Sequence, residues 1–208
     1  METLRERKKQ RTRDALLRVA VELFTSQGYE ETTVDEIAEA VDVSQRTFFR
    51  YFSGKEEAAL ALVEMTVARF VEAVRERPPH EAPLEALRQA VVDGWYAIND
   101  VVESVVPVTT YLRLYRVIES TPVLLAAHLR RSVEVEETLS RVIAEREGLD
   151  VDADPRPRLA VAVFSGVMRV TERQWTTGDD FSLEGMRALT SLYLDGVGPA
   201  LLGNWREA

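Results

Sequence analysis

The sequence predicts an all-α chain. Apolar residues recur three to four apart along almost its whole length, strand-type alternation is absent, and the breaks fall at proline and glycine. Those breaks divide the chain into about nine helices.

Taken in order, "TRDALLRVAVELFTSQGY" sets Leu16, Ala20, Leu23 and Phe24 on one stripe, with Gly28 as its stop. "TTVDEIAEAV" opens with Thr32 and Thr33 as N-cap candidates, each followed three residues later by an acid. "SQRTFFRYF" follows after a break of two or three residues. "SGKEEAALALVEMTVARFVEAVRER" is a long fourth helix stopped by Pro78 and Pro79. Further helical patterns cover about 83–105, 107–119, 121–147, 155–177 and 182–203. Their punctuation is Pro83, Pro107, Thr121-Pro122, Gly148 with Pro155 and Pro157, and Gly178-Asp179-Asp180. No repeat and no low-complexity segment interrupts them.

A chain of 208 residues, 46% apolar and 29% charged, has the composition of a globular protein with a sizeable core. No apolar run approaches the roughly 20 residues that span a bilayer, and the charged N-terminus lacks the apolar stretch of a secretory signal. The absence of cysteine excludes disulfides and thiolate metal sites and accords with a reducing compartment. A cytoplasmic protein is expected. The net charge of −9 hides an asymmetry: residues 1–55 carry ten Lys/Arg against ten Asp/Glu, so the remainder holds the whole excess. Within the first segment Arg5, Arg7, Lys8, Lys9, Arg11 and Arg13 face only Glu6 and Asp14. A basic arm, or else a solvated tail, therefore leads an acidic molecule.

Two short helices joined by a three-residue turn are a helix-turn-helix. Val34, Ile37, Ala38 and Val41 share a face of the first, and small Ala38 lets the helices cross closely. In the turn Val41-Asp42-Val43, position 42 needs a left-handed backbone, cheapest for glycine and tolerated by aspartate. Ser44 caps the second helix. There Phe48 and Phe52, four apart, turn to the core. Gln45, Arg46, Thr47, Phe49, Arg50 and Tyr51 remain to be presented. Arg pairs bidentately with guanine, Gln with adenine, and Thr or a ring meets a thymine methyl, so this surface suits a DNA major groove. Gly54 and Lys55, opening the next helix, suit a phosphate.

"FTSQGYEETTVDEIAEAVDVSQRTFFRYFSGKEEAAL" resembles the DNA-binding domain of the TetR family of bacterial transcriptional regulators. The likeness covers about residues 10–60: Phe-x-x-x-Gly-Tyr, Thr-Thr-Val, Ile-Ala, Val-Ser, a helix ending Tyr-Phe, then Lys-Glu-Glu. It implies residues 1–54 as the basic arm and DNA-binding domain, and residues 55–208 as a ligand-binding and dimerisation domain. It further implies a homodimer on a palindromic double-stranded operator, most often a repressor released by a small molecule. Its DNA contacts fall on Thr33, Ser44, Gln45, Arg46, Thr47, Phe49, Arg50 and Lys55. Three positions depart from the family pattern. Val41-Asp42 replaces Ala-Gly, for a modest strain. Arg46 replaces a glycine and adds a base-reading side chain. Phe49 replaces a tyrosine and lacks the hydroxyl that would bond a phosphate.

In TetR-like proteins the last two long helices pair with their twins. Here that implies a seam through Leu159, Val163, Val167, Leu189, Leu192, Tyr193, Val197 and Leu201, with Ala160, Ser165, Gly166 and Gly185 permitting close approach. The bland alternative is that these residues fill the protomer core. The middle helices hold Trp95, Tyr96, Tyr111, Arg113, Tyr115, Arg116 and His128. A pocket is apolar with a few convergent polar groups, so Trp95, Tyr96, Tyr111, Tyr115 and His128, with Phe164 and Met168, are candidate ligand contacts. Ordinary core aromatics with one wet tip are the alternative. "RLYRVIESTPVLLAAHLRR" also resembles a TetR subgroup that senses acyl-coenzyme A-like ligands, which implies arginines on an anionic head and an aliphatic interior for the acyl chain.

No metal site or cofactor is expected, since His128 and His80 stand far apart in sequence without cysteines. An enzyme is the first rival reading. Glu134, Glu136 and Glu137 read as a solvated helix face, and Gly196-Val197-Gly198 lacks the strand of a phosphate loop. A helical module that binds protein instead of DNA is the second.

Overall fold

The computed structural model describes residues 4–202; residues 1–3 and 203–208, which include the ends of both expected domains and of the last expected helix, lie outside it. Eleven helices and no strand occur among the described residues: α1 (Leu4–Ser26), α2 (Val34–Glu39), α3 (Gln45–Phe49), α4 (Lys55–Glu76), α5 (Pro83–Tyr96), α6 (Ile98–Val102), α7 (Val108–Ser120), α8 (Pro122–Glu147), α9 (Arg156–Thr177), α10 (Leu183–Asp195) and α11 (Val197–Leu202). The all-helical expectation stands, and the number of about nine is corrected to eleven. The expected helix over 83–105 breaks at Ala97, and the one over 182–203 breaks at Gly196. Pro199, with no N–H to donate and a ring that crowds the preceding turn, explains the second break. Near the first, Gly94 weakens the last turn of α5 but does not mark where the helix ends.

The helices gather into two compact units. One comprises residues up to Thr66 together with Ile98–Arg130; the other comprises Val67–Ala97 and the chain from Arg131 onward. Helices α4 and α8 contribute to both.

In the first unit, α1 buries Leu16, Leu17, Ala20, Val21 and Phe24 against α2 and α7. Its Gly28 ends the helix at φ 105°, a conformation that any Cβ would strain; a Cβ would also lie 2.6 Å from a Glu31 carboxylate oxygen. Basic residues Arg5 to Arg11 lie on the exposed first turns of α1, so the arm is helical. From α7, Tyr111, Leu114, Tyr115 and Ile118 turn inward at helical spacing. The buried phenols are satisfied by a hydroxyl chain: Thr66 Oγ1 and Tyr111 Oη lie 3.0 Å apart, and Tyr111 donates to Tyr115 at 3.3 Å.

In the second unit, α5, α9 and α10 pack together. Val161, Phe164, Met168, Thr171 and Trp175 recur three and four apart as the buried stripe of α9; Met186, Thr190 and Leu194 form that of α10. Trp175 Nε1 donates to the Ser182 carbonyl at 2.8 Å and fixes the turn between the two helices. Arg146 of α8 donates to the Arg77 carbonyl at 2.7 Å and the Pro78 carbonyl at 3.0 Å. It thereby caps the end of α4, where a cation also complements the helix dipole.

Candidate nucleic-acid interface

The helix-turn-helix is built from the turn outward. Thr33 caps α2: its hydroxyl accepts from the Glu36 N–H at 3.2 Å, and its own N–H donates to the Glu36 carboxylate at 2.8 Å. This reciprocal pair satisfies two otherwise orphaned donors, and the bonds that reach Glu36 hold its carboxyl below the usual glutamate range. Thr32, fully buried, donates to the Gly28 carbonyl at 2.7 Å and so is not the cap. Asp42 adopts the left-handed conformation expected of it, φ 55°, and Val43 N–H returns to the Ala38 carbonyl at 3.0 Å. Ser44 caps α3, accepting from the Thr47 N–H at 3.2 Å.

This turn decides which α3 side chains face out. Phe48 and Phe52 are core, their rings 5.6 Å apart. Gln45, Arg46 and Arg50 are exposed, as is Phe49 at 52%, a large apolar ring left in water. Arg46 meets no acid among the described residues. Arg50 stands over the Tyr51 ring at 5.1 Å with a 3.4 Å bond to its hydroxyl, which couples the two side chains. Thr47 is half-buried, its hydroxyl 3.0 Å from that of Ser44. The candidate contacts of α3 therefore share one exposed helix.

Two relationships were not legible in the sequence. Lys55, a candidate phosphate contact, donates within the protomer to the carbonyls of Thr32 at 2.7 Å, Tyr29 at 2.8 Å and Glu30 at 3.4 Å, with its ammonium 4.5 Å from the Tyr29 ring. Burial, with Glu56 and Glu30 nearby, pushes the Tyr29 hydroxyl up, so the ring under the cation stays a neutral phenol. The second is a hydrogen bond from Gln45 Nε2 to Asp35 of α2, beside a groove lined by Asp35, Ala38, Glu39, Asp42, Val43, Ser44 and Gln45. Both relationships join residues ten or more positions apart, beyond any helical spacing.

The candidate ligand residues divide between the units. In the first, Tyr111 and Tyr115 stand edge to face at 5.3 Å, and burial pushes the half-buried His128 imidazole down, toward neutrality. In the second, Phe164 stacks on Phe70 at 5.5 Å, Met168 is buried, and Tyr96 is 64% exposed beneath the Arg187 guanidinium at 4.3 Å. Trp95 is 6% exposed, and its indole N–H has no acceptor among the described residues. No group of three or more His, Cys, Asp or Glu able to hold a metal occurs among them, and no helix there is long and apolar enough to cross a membrane.

Of the candidate seam, Leu159, Leu192 and Leu201 are exposed, Val163, Val167, Leu189 and Tyr193 are half-buried, and Val197 is buried. On α9 the residues Leu159, Val163, Val167 and Val170 follow each other on a face beside the buried stripe, exposed at Leu159 and Val170 and half-buried between them.

Residues 16–62 match the profile of the bacterial regulatory proteins of the tetR family, and residues 81–197 match that of the MftR C-terminal domain. The HTH-type transcriptional regulator TcmR of Streptomyces glaucescens is 46% identical over 204 residues, 98% of this chain and 90% of its own. Among solved structures, the fatty acid degradation regulator FadR of Bacillus halodurans superimposes with a TM-score of 0.60 at 18% identity, covering 93% of this chain and 97% of that one. The Thermus thermophilus FadR repressor, in complex with lauroyl-CoA, gives 0.54 at 23% identity over 94% and 98%. At those identities the two structures speak for the fold alone.

Proposed function

Because the chain belongs to the tetR family of bacterial regulatory proteins, we propose that it is a ligand-released repressor that grips a palindromic double-stranded operator as a homodimer in the cytoplasm. It is a helix-turn-helix transcriptional regulator. Residues 1–54 form the DNA-binding segment, and residues 55–208 carry the effector and dimer contacts. Thr33, Ser44, Gln45, Arg46, Thr47, Phe49, Arg50 and Tyr51 face the duplex, with Gln45, Arg46 and Arg50 on base edges. Lys55 supports them by tying the segment before Thr33 to α4. No catalytic group is assigned to the chain.

The carrying observation is the division of α3: Phe48 anchors it while Gln45, Arg46, Phe49 and Arg50 on the same five-residue helix and its cap lie in solvent. A solvated face has no folding reason to hold an exposed phenyl ring between two arginines, whereas a thymine methyl between two guanine contacts accounts for all three. Exposed Leu159, Leu192 and Leu201, with half-buried Val163 and Val167, supply the seam with the twin protomer, which sets two recognition helices about 34–36 Å apart, one helical turn of DNA. The effector is a small apolar or acyl-coenzyme A-like molecule. Trp95 supports an effector with a hydrogen-bond acceptor, since a buried indole N–H without a partner is costly unless a ligand completes it. Release then couples the two sites by about 1–3 kcal/mol.

The test is a selection from random duplex DNA with the protein and its Arg46→Ala variant. A palindromic consensus that loses one base preference per half-site in the variant is the expected result. No enrichment, or the same enrichment in both, would turn the reading toward a protein-binding module.

A further inference from the structure

Asp35 lies on α2, outside the helix whose side chains read DNA, yet it accepts a hydrogen bond from the Gln45 side-chain amide at the first position of α3. We propose that Asp35 is a specificity-determining residue: it locks the Gln45 amide in one orientation, so that α3 selects a base presenting an exocyclic amine, adenine first. The proposal rests on the operator-binding reading.

A glutamine amide is nearly symmetric in shape but opposite in chemistry at its two ends, oxygen accepting and nitrogen donating. Left alone, it rotates to suit either kind of base edge. A carboxylate accepts only, so Asp35 can face the nitrogen end and repels the oxygen end. With Nε2 turned to Asp35, Gln45 Oε1 points away and retains an acceptor beside one remaining N–H. That pair matches adenine, whose N6 amine donates and whose N7 accepts. Guanine presents O6 and N7, two acceptors, and sets oxygen against oxygen; thymine O4 does the same.

The surroundings point the same way. Asp35, Glu39 and Asp42 line the groove beside Gln45, and all three are exposed. Three carboxylates repel a phosphate, so this side of α3 faces base edges and not the phosphate backbone. The Thr33–Glu36 cap fixes the start of α2, and the left-handed Asp42 fixes its exit, so the spacing between Asp35 and Gln45 is set by the backbone.

The experiment extends the selection to full-length Asp35→Ala, Asp35→Asn, Gln45→Ala and the Asp35→Ala/Gln45→Ala double variant. The wild-type adenine-over-guanine preference at one base pair of each half-site should fall roughly tenfold in both single alanine variants, at the same pair. The remaining consensus should be unchanged, and the double variant no worse than Gln45→Ala. In Asp35→Asn the amide can face Gln45 Oε1, so guanine should gain at that pair. An unchanged consensus in Asp35→Ala overturns the proposal. So does weakening spread evenly over all positions while the helical circular dichroism is intact, or a loss at a pair other than that of Gln45. A wild-type protein that enriches no sequence removes the operator reading and this proposal together.

Discussion

The Lys55 ammonium donates to the Thr32 carbonyl at 2.7 Å, which fastens the first turn of α4 to the residue just before the α2 cap. Two more carbonyls, those of Tyr29 and Glu30, share the same cation. The N-terminus of α2 is therefore positioned from α4, the helix that runs on into the second unit.

Lys55→Ala separates this tie from a phosphate contact. Hydrogen bonds to a charged group are worth about 1.5–3 kcal/mol, so thermal unfolding should shift to lower temperature. Operator affinity should weaken for every sequence alike, while the slope of log affinity against log salt stays as in the wild type. A phosphate ligand would instead leave the melting temperature alone and reduce that slope by about 1.

Thr33→Ala removes the α2 cap and should cost about 1 kcal/mol at neutral pH, read by chemical denaturation. The loss should depend on pH. Glu36 is held below the usual glutamate range by the Thr33 backbone and side chain, so in the folded state it binds its proton less readily than in the unfolded chain. Its contribution is thus present above the unfolded value and fades as pH falls through the folded one. Wild type and Thr33→Ala should converge in stability in that acidic window, and Glu36→Gln should flatten the dependence.

Asp42 is the non-glycine residue with positive φ among the described residues, at 55°. Asp42→Gly relieves about 1 kcal/mol of left-handed strain but loosens the unfolded chain by nearly as much, so stability should rise slightly or stay level. Asp42→Val, branched at Cβ, should lower it by about 1–2 kcal/mol and weaken operator binding through the displaced α3. Equal melting temperatures for the two variants would mean the turn relaxes away from the left-handed region.

The contrast between Asp42 and Lys55 marks what the sequence could convey. Asp42 was legible because a three-residue turn between two short helices dictates its own backbone. The Thr33 cap and the burial of Phe48 and Phe52 were legible through spacings of three and four. Lys55 was not, since its partners lie 23 to 26 residues away across the fold. Asp35 was overlooked for the same reason: an acid beside a recognition helix reads as solvated until its partner is seen. The break at Ala97 was not legible because Gly94, three residues earlier, sits inside the helix and not at its end, and the candidate ligand residues, chosen by type, divide between two units because type carries no address.

Exposed leucines on α9 and α10 yield the last prediction. Leu159 and Leu192 are 61% and 66% exposed, so either side chain contributes little to the protomer itself. Leu159→Asp and Leu192→Asp should leave protomer stability within about 0.5 kcal/mol, as surface changes do. In a symmetric seam each substitution acts twice and places like charges in a contact that must shed water, at about 2 kcal/mol or more. Dimer dissociation should rise by at least about thirtyfold in sedimentation velocity, and affinity for a palindromic duplex should drop toward that for a single half-site. If both variants remain dimers at wild-type strength, the seam lies elsewhere and the exposed leucines must be explained by another partner.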